Sequence, residues 1–181
     1  MRIIVTGNPN YKGLCHGIRE AYNHNNVEFI GRWNGWDLTD YEKVADHVKD
    51  YDVFVNSQYG PNGEQVELLN TVYDKFNQGH IINISSSAAF WNNGREDYLK
   101  NKKALEYKSK ELSKITCWGE TPIRVSCISF GELGSESQLL RNDNRRKISL
   151  IEAGNLVKYV IDSPRSTNLH YIALDPIQID C

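Results

Sequence analysis

The sequence predicts an α/β protein built on a doubly wound parallel sheet, a single domain spanning residues 1–181. Two observations carry this. Six short apolar runs rich in β-branched residues alternate with segments of helical pattern, the order that gives a parallel sheet with helices on its faces. Most of these runs are apolar throughout rather than alternating, as strands are when both faces of the sheet are covered.

The elements follow in order. "RIIVTG" (Arg2–Gly7) is the first strand and "GLCHGIREAYNH" (Gly13–His24) the first helix. "VEFIG" (Val27–Gly31) and "TDYEKVADHVKD" (Thr39–Asp50) form the second pair. "DVFVNS" (Asp52–Ser57) and "GEQVELLNTVYDKF" (Gly63–Phe76) form the third. "HIINIS" (His80–Ser85) and "YLKNKKALEYKSKELSK" (Tyr98–Lys114) form the fourth. "IRVSCIS" (Ile123–Ser129) is the fifth strand, and "LHYIAL" (Leu169–Leu174) the sixth. The helix before that last strand, "SLIEAGNLVKYVID", opens on Ser149 with Glu152 three positions later, a capping box. Such an alternation makes the sheet Rossmann-like. "GELGSESQLLRNDNRRK" (Gly131–Lys147) reads as a mobile loop, with Arg145, Arg146 and Lys147 as a solvated turn.

Composition narrows the function. The chain is 40% hydrophobic and 24% charged with a net charge of −2, so there is no electrostatic case for nucleic acid or an anionic membrane. No apolar run approaches the roughly 20 residues of a membrane span, and the chain enters its first strand too early for a signal peptide. Cys15, Cys117, Cys127 and Cys181 form no C-x-x-C pair, and read as reduced thiols of a cytoplasmic protein. The five histidines are scattered, and no metal is expected.

Two segments suit a dinucleotide. "VTGNPNYKGLCHGI" turns from the first strand into the first helix; there Gly7 allows a tight turn and Gly13 a close backbone approach to a pyrophosphate at the helix N-terminus. Its spacing is not G-x-G-x-x-G, so the motif alone is weak. The second strand runs into "GRWNGWDLTD", with Arg32 at its end and no acid before Asp37. A cation there suits a 2′-phosphate and favours NADP(H) over NAD(H); Lys12 can add a second charge. Asp37 either bonds adenine or caps the helix starting near Thr39.

The fourth strand ends on "SSS", and Tyr98 and Lys102 follow, four apart on one helical face. A free tyrosine has a pKa of about 10, and a neighbouring ammonium is expected to lower it. Ser86 at the strand end can orient a carbonyl or alcohol oxygen, Tyr98 can exchange its proton, and Lys102 can tune the phenol and bond a nicotinamide ribose. With so many tyrosines and lysines, one Y-x-x-x-K pair is expected by chance; the context gives it weight.

"TGNPNYKG", "DLTD", "NSQYG", "IINISS", "YLKNKKALE", "IRVSCISFGEL" and "ISLIEAGNLVKYVIDSP…YIALDP" occur in the order of the corresponding motifs of the short-chain dehydrogenase/reductase family. The chain resembles that family over nearly its whole length. The resemblance implies hydride transfer between a nicotinamide cofactor and a small carbonyl or alcohol, with Ser86, Tyr98 and Lys102 as the triad and Ser85 as the fallback. It implies cofactor contacts at Gly7, Gly13, Leu14, Asp37, Leu38, Asn56, Gly60, Gly131 and Leu133, and at Tyr98 and Lys102 themselves. A homodimer is also implied.

Departures are equally visible. Tyr11 stands where the middle glycine normally sits, Phe130 replaces the proline before Gly131, and "NSQYG" carries an extra residue. The family's helix asparagine has no equivalent, Asn70 lying too close to Ser86. The chain is short for the family, with a reduced lid around 133–148, so a shallow, open substrate site is expected. The alternative function is a dinucleotide-binding sensor or interaction module with little catalysis; an epimerase or dehydratase is a third option.

Overall fold

A computed structural model describes residues 1–23, 25–141 and 144–177. Cys181 and part of the expected loop, residues 142–143, lie outside the described residues. All six predicted strands form: β1 (Ile3–Thr6), β2 (Val27–Ile30), β3 (Val53–Asn56), β4 (Gly79–Ser86), β5 (Ile123–Phe130) and β6 (Tyr171–Leu174). They make one sheet in the order β2-β1-β3-β4-β5-β6, and every pairing is parallel. β1 and β3 are buried at every position, which accounts for their unbroken apolar pattern.

The predicted helices are α1 (Leu14–Ala21), α2 (Tyr41–Val48), α3 (Glu64–Lys75), α5 (Glu96–Cys117) and α7 (Leu150–Ile161). Two single-turn helices, α4 (Ala88–Trp91) and α6 (Glu136–Leu139), and a 3₁₀ turn at Arg32–Asn34 were not legible. Helices α1 and α7 cover one face, burying Ile18, Ala153, Val157 and Val160 against Val5, Val55 and Ile82. Helices α2, α3 and α5 cover the other, with Val44, Leu69 and Leu105 against Ile4, Phe54 and Ile81. Each fully buried leucine or isoleucine contributes about 1.5–3 kcal/mol. Among the described residues no helix is long and apolar enough to cross a membrane.

Local chemistry fixes the helix ends. The capping box forms as predicted: Glu152 N donates to Ser149 Oγ at 3.1 Å, and Ser149 N donates to Glu152 Oε2 at 3.0 Å. On α2 the cap is Asp40, which accepts from Lys43 N, not Asp37. Helices α1 and α7 meet backbone to backbone. A Cβ added to Gly17 would lie 1.9 Å from the Leu150 carbonyl oxygen, and one added to Gly154 would lie 2.1 Å from that of Gly17. Any side chain at either position forces the helices apart.

The strand order reverses at β1, between β2 and β3. Open α/β sheets bind ligands outside the carboxyl ends of the strands at such a switch point. Thr6 holds the two strand ends there: its hydroxyl accepts from Ser57 N at 2.9 Å and Gln58 N at 3.2 Å.

Candidate active site

β4 carries Ser85 and Ser86 to the carboxyl edge of the sheet. The chain then makes the single turn of α4, passes Gly94, and enters α5 two residues before Tyr98. One turn into α5, Lys102 reaches back under the strand end. It is only 4% exposed. Its Nζ donates to the Ile84 carbonyl oxygen and to Gln65 Oε1, both at 2.9 Å. The same ammonium lies 5.7 Å from the Tyr59 ring centroid and 5.8 Å from that of Tyr98. Burial lowers the Lys102 pKa to about 8, while the charge of Glu106 pulls it back upward.

Tyr98 differs from the expectation: its pKa is raised, not lowered. Desolvation dominates, the Ser86 hydroxyl pulls it partway back, and Tyr59 raises it further. The lysine does not offset this, because its ammonium is directed at two oxygen acceptors and is 5.8 Å from the ring centroid. The Tyr59 ring packs edge-on to Tyr98, centroids 5.0 Å apart.

The three serines sort themselves. Ser86 faces the Tyr98 phenol. Ser85 is buried, and its Oγ has no partner among the described residues. Ser87 donates to Asp175 Oδ1 at 2.5 Å, while Trp91 Nε1 donates to Oδ2 of the same carboxylate at 3.0 Å.

Ser85, Ser86, Tyr98 and Lys102 line a cleft of about 1040 Å³, together with Leu14, Gly131 and Leu133. Part of the segment expected to be a reduced lid lines this cleft. Leu133 bridges to Ile148, Glu136 N donates to the Lys12 carbonyl at 2.9 Å, and Arg145 pairs with Glu132 at 2.7 Å. Ser135, Gln138, Arg141 and Arg145 line the cleft, so of the basic cluster Arg145 is more than part of a solvated turn. Gly131 sits so close beneath Asp175 that an added Cβ would be 2.3 Å from its Oδ1.

A second cavity of about 140 Å³ lies beside α3. Arg32, Leu38 and Gly60 line it, as the dinucleotide reading needs, and Tyr59 borders both cavities. In the glycine turn Gly7 has φ +139°, and an added Cβ would sit 2.4 Å from Cys15 Sγ. Gly13 precedes α1 in extended conformation with no side-chain cap, so the helix N-terminus opens onto the turn.

Three expected contacts fall elsewhere. The Lys12 side chain is exposed and lines neither cavity. The exposed Asp37 accepts from Thr39 N at 3.0 Å and Thr39 Oγ1 at 2.7 Å, a local Asx turn that lowers its pKa. Asn56 turns inward, its Nδ2 donating to Gln65 O at 2.9 Å and Asn83 Oδ1 at 3.1 Å. The Asn56 side chain does not line the cleft. Sequence reasoning missed Gln65 and Tyr59. The extra residue in "NSQYG" marks the segment that carries Tyr59, and a polar residue on the buried face of α3 marks Gln65.

No protein-family model matches the chain, and no curated protein sequence matches it. Solved structures do. An L-sorbose reductase from Gluconobacter frateurii, in complex with NADPH and L-sorbose, is 15% identical with a TM-score of 0.75, the match covering 96% of this chain and 95% of that one. Serine dehydrogenase from Escherichia coli is 17% identical with a TM-score of 0.71, covering 96% and 97%. A closed serine dehydrogenase with NADP+ is 17% identical with a TM-score of 0.74, covering 96% and 94%. The chain therefore has the Rossmann-like fold of these dehydrogenases and reductases over 96% of its length.

Proposed function

We propose that the chain is an NADP(H)-dependent oxidoreductase of the short-chain dehydrogenase/reductase type, acting on a small carbonyl or alcohol. One observation carries this reading: Ser86 and Tyr98 face each other over the Lys102 ammonium in a cleft at the carboxyl edge of the sheet. The fit to a dinucleotide rests on the side-chain-free turn at Gly7 and Gly13, on the two cavities sharing Tyr59 as a wall, and on Arg32 in the smaller one. The orphaned Ser85 hydroxyl adds an unused donor in the larger one. The NADPH and NADP+ bound to two structures of like fold support the same reading.

A bound nicotinamide supplies the hydride or accepts it. The residues do the rest. Ser86 holds the substrate oxygen. Tyr98, kept a neutral phenol at neutral pH by burial, donates its proton to that oxygen in the reductive direction. Lys102 stabilises the phenolate left behind, so its interaction strengthens as charge develops. In oxidation the same groups run in reverse.

Small aldehydes, ketones and diketones, screened by loss of NADPH absorbance, test the reading. Turnover that vanishes in Tyr98→Phe supports it. Tight NADPH binding with no turnover on any carbonyl would move the assignment to a dinucleotide-binding module.

A further inference from the structure

We propose that Gln65 is a positioning residue for Lys102, its side-chain carbonyl holding the lysine as an ammonium on the floor of the cleft. The geometry leaves the amide only one orientation. Gln65 Nε2 donates to the Asn56 carbonyl at 2.7 Å and to the Ile84 carbonyl at 3.0 Å, using both of its hydrogens. A flipped amide would set oxygen against two carbonyl oxygens and NH₂ against an ammonium. Oε1 is thereby obliged to face Lys102 Nζ, 2.9 Å away. The Ile84 carbonyl accepts from both residues and closes a triangle.

That triangle is braced from three elements. Asn56 Nδ2 donates to the Gln65 carbonyl and to Asn83 Oδ1. Asn83 Nδ2 donates to Ser109 Oγ at 3.0 Å, and Ser109 Oγ donates to the Leu105 carbonyl at 2.7 Å. β3, β4 and α5 thus fix the Gln65 side chain, which is only 5% exposed. Two of the three ammonium donors are held, leaving one for the cleft between Tyr59 and Tyr98.

The groups around Lys102 are few. Tyr98 and Glu106 face it from α5, Cys127 from β5, Tyr59 from the loop before α3, and only the Ile84 carbonyl from β4. Burial drives the proton off, and the charge of Glu106 opposes that. Gln65 opposes it through a direct hydrogen bond, which is made only to the protonated form. The amine is therefore poised rather than discharged. Its part in turnover rests on the function proposed above; its protonation does not, and can be measured without substrate.

The experiment follows the Lys102 titration in the full chain by NMR of ¹³Cε-labelled lysine, assigned by its loss in Lys102→Arg. Gln65→Leu, which keeps the volume but lacks the acceptor, should lower the midpoint by about one pH unit, a tenfold loss of proton affinity. Gln65→Glu, nearly isosteric, should raise it by a similar amount. Opposite shifts are a result that a merely structural role does not give. Midpoints within about 0.3 unit of the unsubstituted chain in the Glu variant, or moved the same way in both, overturn the proposal. If the midpoints shift as expected but no carbonyl is turned over, the positioning role stands and the proposed reaction falls.

Discussion

Among the described residues, each edge of the sheet buries one basic side chain, and the two are treated in opposite ways. At the carboxyl edge Lys102 keeps two oxygen acceptors and has Glu106 and Cys127 nearby, and its pKa falls only to about 8. At the amino edge His80 is 1% exposed; its Nε2 lies 2.8 Å from Ser126 Oγ, and its Nδ1 has no partner among the described residues. Burial above all, with Arg124 as a like charge adding to it, pushes its pKa to about 3. Both edges are concave: a pocket of about 710 Å³, lined by Arg124 and Arg165, sits beside His80. Concavity and burial alone therefore do not distinguish the two ends. Acceptors aimed at the buried cation do, because they keep it able to carry charge near neutral pH.

The strongest way to break this comparison is to remove the phenol above Lys102. Tyr98→Phe should lower turnover by about 100- to 10,000-fold, with NADPH affinity nearly unchanged, since the proton moves only during reaction. Lys102→Ala should harm both. Ser86→Ala should lower turnover with less effect on cofactor, and Ser85→Ala should do least. Steady-state kinetics beside calorimetric titration separates the two effects; activity surviving Tyr98→Phe rejects the roles assigned.

The amino edge should show itself in acid instead. The folded His80 pKa lies below the ordinary 6.5, so the unfolded chain takes up the proton first. Stability from neutral His80 is complete above about pH 6.5 and is lost as pH falls toward 3. By pH 4 that loss is about 3 kcal/mol. Urea unfolding across this range should fall less steeply in His80→Gln, which can still bond Ser126 but does not titrate. Parallel curves for the two proteins would remove His80 from the account. Lys102 acts at the other extreme: its folded pKa is also depressed, so its penalty persists below about pH 8 and eases as pH rises toward 10.5.

Arginines at the two edges sharpen the contrast at a smaller scale. Arg32→Ala should weaken NADPH about tenfold or more and leave NADH unchanged, since a charge-assisted hydrogen bond is worth about 1.5–3 kcal/mol. Arg165→Ala, at the opposite edge, should alter neither. Equal loss of both cofactors in Arg32→Ala, measured by calorimetry, would sink the 2′-phosphate role.

The smallest effect expected is on assembly. A homodimer is the expected state, yet α5 is dense in charge and exposes Lys100, Lys103 and Lys110, which opposes its burial in an interface unless they are paired. Sedimentation should show a weak, concentration-dependent dimer; monomer alone at high concentration would refute it.

How much was legible in the chain follows from range. The six strands and five long helices were readable because each depends on local periodicity and on ends such as Ser149 and Glu152. Ser86, Tyr98 and Lys102 were readable because two share a helix face and the third ends the preceding strand. Asp37, Lys12 and Asn56 were misplaced because side-chain direction at a strand end is not a local property. Asp37 satisfied itself on Thr39, two residues away, and Asn56 found Asn83 across the sheet.

The sequence by itself determined the order of strands and helices, the turn at Gly7 and Gly13, and the placing of the Ser–Tyr–Lys set at the sheet's carboxyl edge, since periodicity and spacing are properties of neighbours along the chain. Only the tertiary structure decided the charge state of that set. Gln65 is 37 residues from Lys102 in sequence and meets it only because α3 and α5 pack on the same face of the sheet. The Tyr59 ring packs edge-on to Tyr98 from the loop before α3. Burial and hydrogen-bond acceptors set a pKa, and both are made by residues that folding brings together from distant parts of the chain.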